Sequence, residues 1–214
     1  MPHSSNNIKF IWKTPDFIQE FFSFDSYPTF MKRQTVFTLL IIAFALSFFV
    51  TPLGDYSKII LNRFFATSPT IISIEKRGKI DDYDWKLKDA NWKFFNFDEA
   101  KGRVVFITFW TSWHMPSQAQ LKDVQHLYDK FGDEIEFYVI TNEERVPVEL
   151  FMEEQGYSFP VTYQIIGEPS PISLLKPPGS YVVDKHGSIV VHQNAIADWD
   201  NDKVDKLLNE LIAE

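Results

Sequence analysis

The chain contains no cysteine among its 214 residues. Disulfide bonds and thiolate metal sites are therefore excluded. Any reaction in which a thiolate of this chain attacks a disulfide is excluded for the same reason. The absence of cysteine does not identify a cellular compartment, because an oxidising compartment permits disulfides without requiring them.

Positive charge is also scarce. The sequence has 21 lysines and arginines against 29 acidic residues, a net charge of −8, of which residues 1–52 carry +1 and the remainder −9. An acidic globular part argues against nucleic-acid binding. The five histidines form no His-x-x-x-His pair or similar spacing, so we predict no metal site and no cofactor.

Apolar residues, in contrast, are plentiful. Hydrophobic residues make up 45% of the chain, enough for a substantial core. Residues 34–54 are uncharged and 36–50 are almost wholly apolar, which is long enough for a bilayer core of about 30 Å. Because Lys32 and Arg33 precede this run, the positive-inside rule places the C-terminal domain on the extracytoplasmic (periplasmic) side. We predict one transmembrane signal anchor over 34–53.

Two alternatives to this anchor stay open at the sequence level. A cleaved signal peptide is the main one, although the residues after Val50 show no small-x-small cleavage site. A buried soluble helix is the other. The predicted organisation is a short tail over 1–33, the anchor over 34–53, a linker over 54–83 and a folded domain over 84–214. Met31, followed by Lys32 and Arg33, is a candidate for the true translation start, and a short cytoplasmic tail is the alternative.

The pattern of the folded part alternates strands and helices. A hairpin signal over 85–95 precedes a continuous apolar strand over 104–110, and Pro116 suits the first turn of the helix that follows. A second buried strand over 135–141 leads to a helix near Pro147. Strands over 181–184 and 189–192 form a second hairpin signal, and a one-sided leucine stripe predicts a C-terminal helix.

The most informative segment joins the first buried strand to its helix. It reads Trp110-Thr111-Ser112-Trp113-His114-Met115-Pro116-Ser117. The segment resembles the active-site turn of membrane-anchored, thioredoxin-fold TlpA/ResA-like thiol–disulfide oxidoreductases, where the turn is Trp-Cys-x-x-Cys. His114 and Ser117 stand at the two cysteine positions. The resemblance implies an α/β, thioredoxin-like fold, with a central mixed sheet and helices on both faces.

The same resemblance implies where a binding site lies. Pro178, in Lys176-Pro177-Pro178-Gly179, corresponds to the cis-proline that faces the active-site turn in this fold. Pro177 has no N–H and cannot donate the usual main-chain hydrogen bond to a bound peptide. Trp113 is expected to be partly exposed beside the turn. Thr108 stands where many thioredoxins have a buried carboxylate, so no proton acceptor is expected beneath the site.

These residues favour a module that is not an enzyme. The turn His114, Met115, Pro116 and Ser117 is a degenerate active site, with Trp113, Pro177 and Pro178 as binding residues. We predict a redox-inactive module for an extracytoplasmic protein or extended polypeptide. The alternative is an enzyme with a non-thiol reaction at His114 and Ser117. Their i, i+3 spacing permits contact, but no third orienting group or oxyanion hole is evident.

Overall fold

The computed structural model describes residues 33–50 and 67–214. The chain divides into two compact units, Met1–Leu46 and Ser47–Glu214. Helix α1, Arg33–Val50, covers most of the predicted anchor, whose last residues, 51–53, lie outside the described ranges, as do residues 1–32 of the predicted tail. No helix within the described ranges combines the length and the apolar character needed to cross a membrane.

A seven-stranded mixed sheet organises the larger unit. The strands follow one another across it in the order β2-β1-β5-β4-β3-β6-β7. Strands β3 and β4, and β4 and β5, are parallel, whereas β3 and β6 are antiparallel. Their bounds are β1 Lys86–Lys88, β2 Phe94–Asn96, β3 Val105–Phe109, β4 Glu136–Thr141, β5 Val161–Gln164, β6 Gly179–Val183 and β7 Ile189–Gln193.

The central strands are those that the apolar runs predict. Every residue of β3 is buried, because its neighbours β4 and β6 pair with both of its edges and both of its faces are covered. The first two buried strands of the sequence, β3 and β4, are parallel neighbours. Strand β5 is an addition that the sequence patterns did not predict.

Three helices follow strands of the sheet: α2 Met115–Phe131, α3 Arg145–Gln155 and α4 Asp202–Ala213. Pro116 lies in the first turn of α2, where its missing N–H costs nothing. Helix α3 ends at Gly156, which adopts the left-handed conformation with φ of 69°. Helix α4 begins at Asn201, whose side chain accepts hydrogen bonds from two backbone N–H groups of the first turn.

The expectation of α-helices on both faces of the sheet is wrong. The buried residues of all three helices belong to one core, together with Phe106 and Trp110. The crossings β3-α2-β4 and β4-α3-β5 proceed in the same direction across the sheet, so two right-handed crossings place α2 and α3 on the same face. The other face is covered by Trp85, the 3-10 helix Phe97–Ala100 and Ile172.

Part of the predicted linker is joined to the sheet. Ile71 and Lys79 form isolated antiparallel bridges with β7 and with Ser188 beside it. The Ile72 N–H donates to the Val190 carbonyl over 2.8 Å, and the Ile80 N–H donates to the Gly187 carbonyl over 2.8 Å. Residues 71–80 therefore cover the edge of β7, which would otherwise present unpaired backbone groups.

Charged residues join α2 to the start of α4, and they predict a small acid sensitivity. Nδ1 of His126 lies 2.7 Å from Oδ2 of Asp200, and Lys130 Nζ donates to Asp200 Oδ1 over 3.0 Å. These contacts, that with His126 first, lower the pKa of Asp200 from its ordinary value of 3.8. The stabilisation is present above that value and is lost as the pH falls below it.

We therefore expect Asp200→Asn to lower the free energy of unfolding at pH 7 and to lower it less at pH 3. The groups are partly exposed, so the loss at pH 7 is at most about 1 kcal/mol. Urea unfolding at both pH values measures it. The exposed Asp133 is the control, because Asp133→Asn removes no such contact. An equal loss at both pH values would contradict the assignment.

Candidate functional site

The predicted turn connects the centre of the sheet to the start of α2. After β3, the Trp110 N–H donates to the Ile140 carbonyl over 2.9 Å, and its indole Nε1–H donates to the Val139 carbonyl over 3.2 Å. The chain then leaves the sheet, and His114 is the N-cap residue of α2. The end of a fully buried strand thus places His114 at the carboxyl edge of the parallel strands.

The two residues at the cysteine positions contact each other. Nδ1 of His114 lies 3.2 Å from the hydroxyl oxygen of Ser117. Ser117 is 0% exposed, whereas His114 is half-buried and its ring lies edge-on to the Trp113 ring at 5.8 Å. A histidine–serine hydrogen bond therefore spans the same two positions that a disulfide would join.

A carboxylate holds the residue before the turn. The Ser112 N–H donates to Glu143 Oε2 over 2.5 Å, and the Ser112 hydroxyl donates to Glu143 Oε1 over 2.8 Å. The Ser112 carbonyl accepts from the Gln118 amide over 2.5 Å. All three polar groups of Ser112 are thus fixed, two of them by Glu143 in the loop after β4, and the backbone that leads to Trp113 and His114 is fixed with them.

This arrangement predicts that Glu143→Ala destabilises the protein. Hydrogen bonds to a charged acceptor contribute about 1.5–3 kcal/mol to the free energy of unfolding. We expect a loss of that size in denaturant unfolding followed by tryptophan fluorescence. Glu143→Gln keeps one acceptor oxygen and should lose less.

Glu144→Ala is the matched control, because Glu144 is exposed and its side chain makes no capping hydrogen bond. Equal losses for the alanine variants of Glu143 and Glu144 would show that Glu143 does not hold Ser112.

A cleft of about 330 Å³ opens beside the turn, at the carboxyl ends of β3, β4 and β5. Ligands of open α/β sheets bind at this edge. The walls of the cleft are mainly aromatic and aliphatic, which suits an apolar group of a ligand. Its apolar lining residues are Phe109, Trp110, Trp113, Ile140, Leu175 and Pro177.

The remaining lining is polar and carries little charge. It consists of Thr111, His114, Thr141, Asn142, Gln164 and Lys176. Of the residues that the sequence analysis assigned to the site, Trp113, His114 and Pro177 line the cleft together. Met115, Pro116, Ser117 and Pro178 do not line it, and Ser117 and Pro178 are buried. The Pro177–Pro178 peptide bond is cis.

Exposed apolar side chains occur in the wall of the cleft and near its lining residues in sequence. Trp113 in its wall is 73% exposed. Ile166, which is 85% exposed, lies two residues after the lining residue Gln164, and the exposed Leu174 directly precedes the lining residue Leu175. A large exposed apolar residue in the wall of an apolar depression, as Trp113 is, is typical of a surface that binds a partner.

A neutral hydrogen-bond network lies beneath the turn, around Thr108. The Gln120 amide Nε2 donates to the hydroxyl oxygens of Thr108 and Ser180, over 3.2 and 3.1 Å. The Ser180 hydroxyl donates to Thr108 Oγ1 over 2.9 Å, and the Ala197 N–H donates to Gln120 Oε1 over 3.2 Å. No member of this network is ionisable near neutral pH, so its Thr108, Gln120 and Ser180 supply no proton acceptor.

The fold and this site agree with the comparison with known families. The model of the AhpC/TSA family matches residues 80–192, more than half of the chain. The chain belongs to the AhpC/TSA family. The match begins at Ile80, at the end of the segment that covers β7, and it includes β1 to β6 and the turn at His114.

Individual relatives share only limited sequence identity with this chain. The thiol-disulfide oxidoreductase ResA of Bacillus thuringiensis strain Al Hakam is 28% identical over 110 residues, which cover 49% of this chain. This chain spans 62% of the length of that relative. Such relatives are thiol–disulfide oxidoreductases by name, whereas this AhpC/TSA member has no cysteine.

Solved structures show the same fold at low identity. The DsbF homologue from Corynebacterium diphtheriae has a TM-score of 0.53 at 12% identity, covering 69% of this chain and 94% of its own. A secreted thiol-disulfide isomerase from Corynebacterium glutamicum has a TM-score of 0.52 at 15% identity, covering 69% and 93%. The thioredoxin-like α/β fold of this AhpC/TSA chain is thereby supported.

Three residues that shape the site were absent from the sequence prediction. Glu143 follows β4, and a polar residue just after a buried parallel strand is a signal for this edge of the sheet. Lys176 directly precedes the predicted Pro177. Gln120 is one of three buried polar residues of α2, together with Ser117 and Asp123. A polar residue at a helix position that faces the core indicates a buried hydrogen-bond network.

Proposed function

We propose that this chain is a redox-inactive, thioredoxin-like binding module that holds an extended segment of an extracytoplasmic polypeptide in the cleft beside His114. The observation that carries the proposal is a contrast at one site. The positions for two sulfur atoms hold the His114–Ser117 hydrogen bond, while the apolar cleft next to them is open. Binding needs only the cleft, whereas disulfide exchange needs a thiolate.

The exposed tryptophan supports a protein partner. Trp113 offers a large, rigid, amphipathic surface at the wall of the cleft, and such residues dominate the binding energy of protein interfaces. The fixed Ser112 keeps its neighbour Trp113 in place before a partner arrives, which lowers the entropy cost of binding.

A non-thiol enzyme is the competing proposal, and the contact between His114 and Ser117 is the observation in its favour. A serine nucleophile must reach its substrate, and Ser117 is 0% exposed. The pair also contacts no acidic side chain that would orient the imidazole, as judged from the contacts of the described residues. The geometry therefore favours binding over catalysis.

We further propose that residues 34–53 anchor the module in a membrane, with the domain on the extracytoplasmic side. The uncharged apolar run after Lys32 and Arg33 supports this topology. Protease should degrade the domain in cells whose outer layers have been permeabilised and whose inner membrane is intact. Protection of the domain until the inner membrane is lysed would contradict the topology. A mature protein that starts beyond residue 50 would favour a cleaved signal instead.

The binding proposal is tested with the purified full chain as bait against solubilised cell-envelope proteins. We expect one or a few proteins to be retained by the native chain and lost with Trp113→Ala. Phe94→Ala is the matched control, because Phe94 is 70% exposed and lies outside the cleft. Equal retention by the native chain and the Trp113 variant would contradict binding at the cleft.

A further inference from the structure

We infer that the polypeptide segment held in the cleft carries a carboxylate next to its apolar side chains, and that Lys176 pairs with this carboxylate. The inference rests on the proposed function and specifies its ligand. A large apolar side chain of the segment enters the cleft between Trp113 and Leu175, and an aspartate or glutamate of the same segment lies against the Lys176 ammonium group.

The one lysine or arginine that lines the cleft contrasts with the negative charge of the chain as a whole. The chain has a net charge of −8, yet Lys176 is the one lysine or arginine among the lining residues and none of them is acidic. The nearest acidic residue in sequence to the lining residue Asn142 is Glu143, whose two oxygens accept hydrogen bonds from Ser112. A lining that carries one cationic side chain and no anionic one favours a negatively charged ligand group at Lys176.

Lys176 is available for such a pair. Its side chain is exposed, and no ion pair joins it to a residue in the described part of the chain. Other lysines form ion pairs within the domain. Lys130, for example, contacts both Asp200 and Asp205. A ligand carboxylate would therefore gain a cation without displacing an existing partner.

The backbone after Lys176 lacks hydrogen-bond donors, so recognition of a ligand there depends more on side chains. Pro177 and Pro178 both lack an N–H, so neither can donate a main-chain hydrogen bond to an extended ligand. Strand-like pairing with a donor from these two residues is excluded, so the side chains that line the cleft, Lys176 among them, carry more of its selectivity. The walls supply affinity through buried area, and Lys176 supplies the choice of charge.

The expected contribution of the ion pair is small and measurable. An exposed pair changes a dissociation constant by about two- to fivefold, and salt weakens it. Reversal of the charge at position 176 adds repulsion to the lost attraction, so a variant with Lys176→Glu should reverse the preference of the cleft instead of only weakening it.

The test is a selection from a library of random twelve-residue peptides, with the full chain in mild detergent as the target. The native chain should enrich peptides in which phenylalanine, leucine or tryptophan adjoins an acidic residue. Lys176→Glu should enrich apolar peptides with lysine or arginine instead. Lys203→Glu is the control, since Lys203 is exposed on α4 and outside the cleft.

The selected peptide is then labelled and titrated by fluorescence anisotropy. At about 50 mM salt, we expect the peptide with glutamate changed to glutamine to bind the native chain about two- to fivefold more weakly than the selected peptide. With the Lys176→Glu variant, we expect the glutamine peptide to bind more tightly than the glutamate peptide. Enrichment of apolar peptides with no charge preference, unchanged by Lys176→Glu, would overturn this inference and leave the binding function standing. No enrichment by any form of the chain would overturn the binding function itself.

Discussion

The combined variant His114→Cys and Ser117→Cys is expected to form an intramolecular disulfide and to reduce insulin with a dithiol donor, whereas the unmodified chain is expected to show no such activity. The unmodified chain has no thiolate to attack a disulfide. The contact of 3.2 Å between the His114 and Ser117 side chains shows that the two positions face each other across the first turn of α2. A disulfide between them closes a short loop and stabilises the folded state by about 2 kcal/mol.

Mass spectrometry after maleimide labelling measures the disulfide, and insulin turbidity measures turnover. His114→Cys and Ser117→Cys alone are the controls, because neither single variant has an intramolecular partner. Turnover by the combined variant should be slow, since Thr108 lies in a neutral network and Pro177 lacks a donor. Robust reductase turnover by the unmodified chain would contradict its assignment as redox-inactive. A combined variant that never oxidises, with Cα atoms more than about 7 Å apart, would contradict descent of the turn from a Cys-x-x-Cys site.

The arrangement of the central strands was predictable because it depends on patterns that are local in sequence. The apolar run before Trp110 is continuous, which is typical of a strand covered on both faces. Strand β3 is buried along its whole length. Pro116 and Gly156 mark the start of α2 and the end of α3 for conformational reasons that do not depend on distant residues.

The placement of the helices was not predictable from those patterns. The side of the sheet on which α2 and α3 pack depends on the order of β3, β4 and β5 across it. That order depends on the position of β5, and β5 has only four residues, too few for a clear strand pattern in the sequence. The cover of β7 by residues 71–80 was missed for a similar reason, because it consists of backbone hydrogen bonds that side-chain periodicity does not report.

The site was predictable only where residues are adjacent in sequence. Trp113 and His114 follow from the turn that ends β3, and Pro177 follows from the resemblance to a known fold. The hold of Glu143 on Ser112 joins residues 31 positions apart, and the network of Gln120 reaches Ser180 across 60 positions. A periodic pattern contains no information on which distant partner satisfies a buried polar group.

Gln120→Leu is expected to be among the most destabilising substitutions in the folded domain, with a loss of about 3–5 kcal/mol in the free energy of unfolding. Gln120 is 2% exposed, and its amide contacts Thr108, Ser180 and the Ala197 N–H. An apolar side chain leaves the Ala197 N–H without its acceptor and removes a donor from two buried hydroxyl groups. Each buried polar group left unsatisfied costs about 1–3 kcal/mol. Denaturant unfolding measures the loss, with the exposed Gln155→Leu on α3 as the control.

A triple variant separates the polar network from the shape of the core. Thr108→Val and Ser180→Ala, added to Gln120→Leu, remove the two hydroxyl groups that lose the Gln120 donor. The triple variant should therefore be more stable than Gln120→Leu alone, because replacement of all side-chain partners by apolar groups of similar shape is nearly neutral. The Ala197 N–H remains without an acceptor, so the triple variant should still lose about 1–3 kcal/mol relative to the native chain. Additive losses of the three changes would show that the side chains of Thr108, Gln120 and Ser180 do not act as one network.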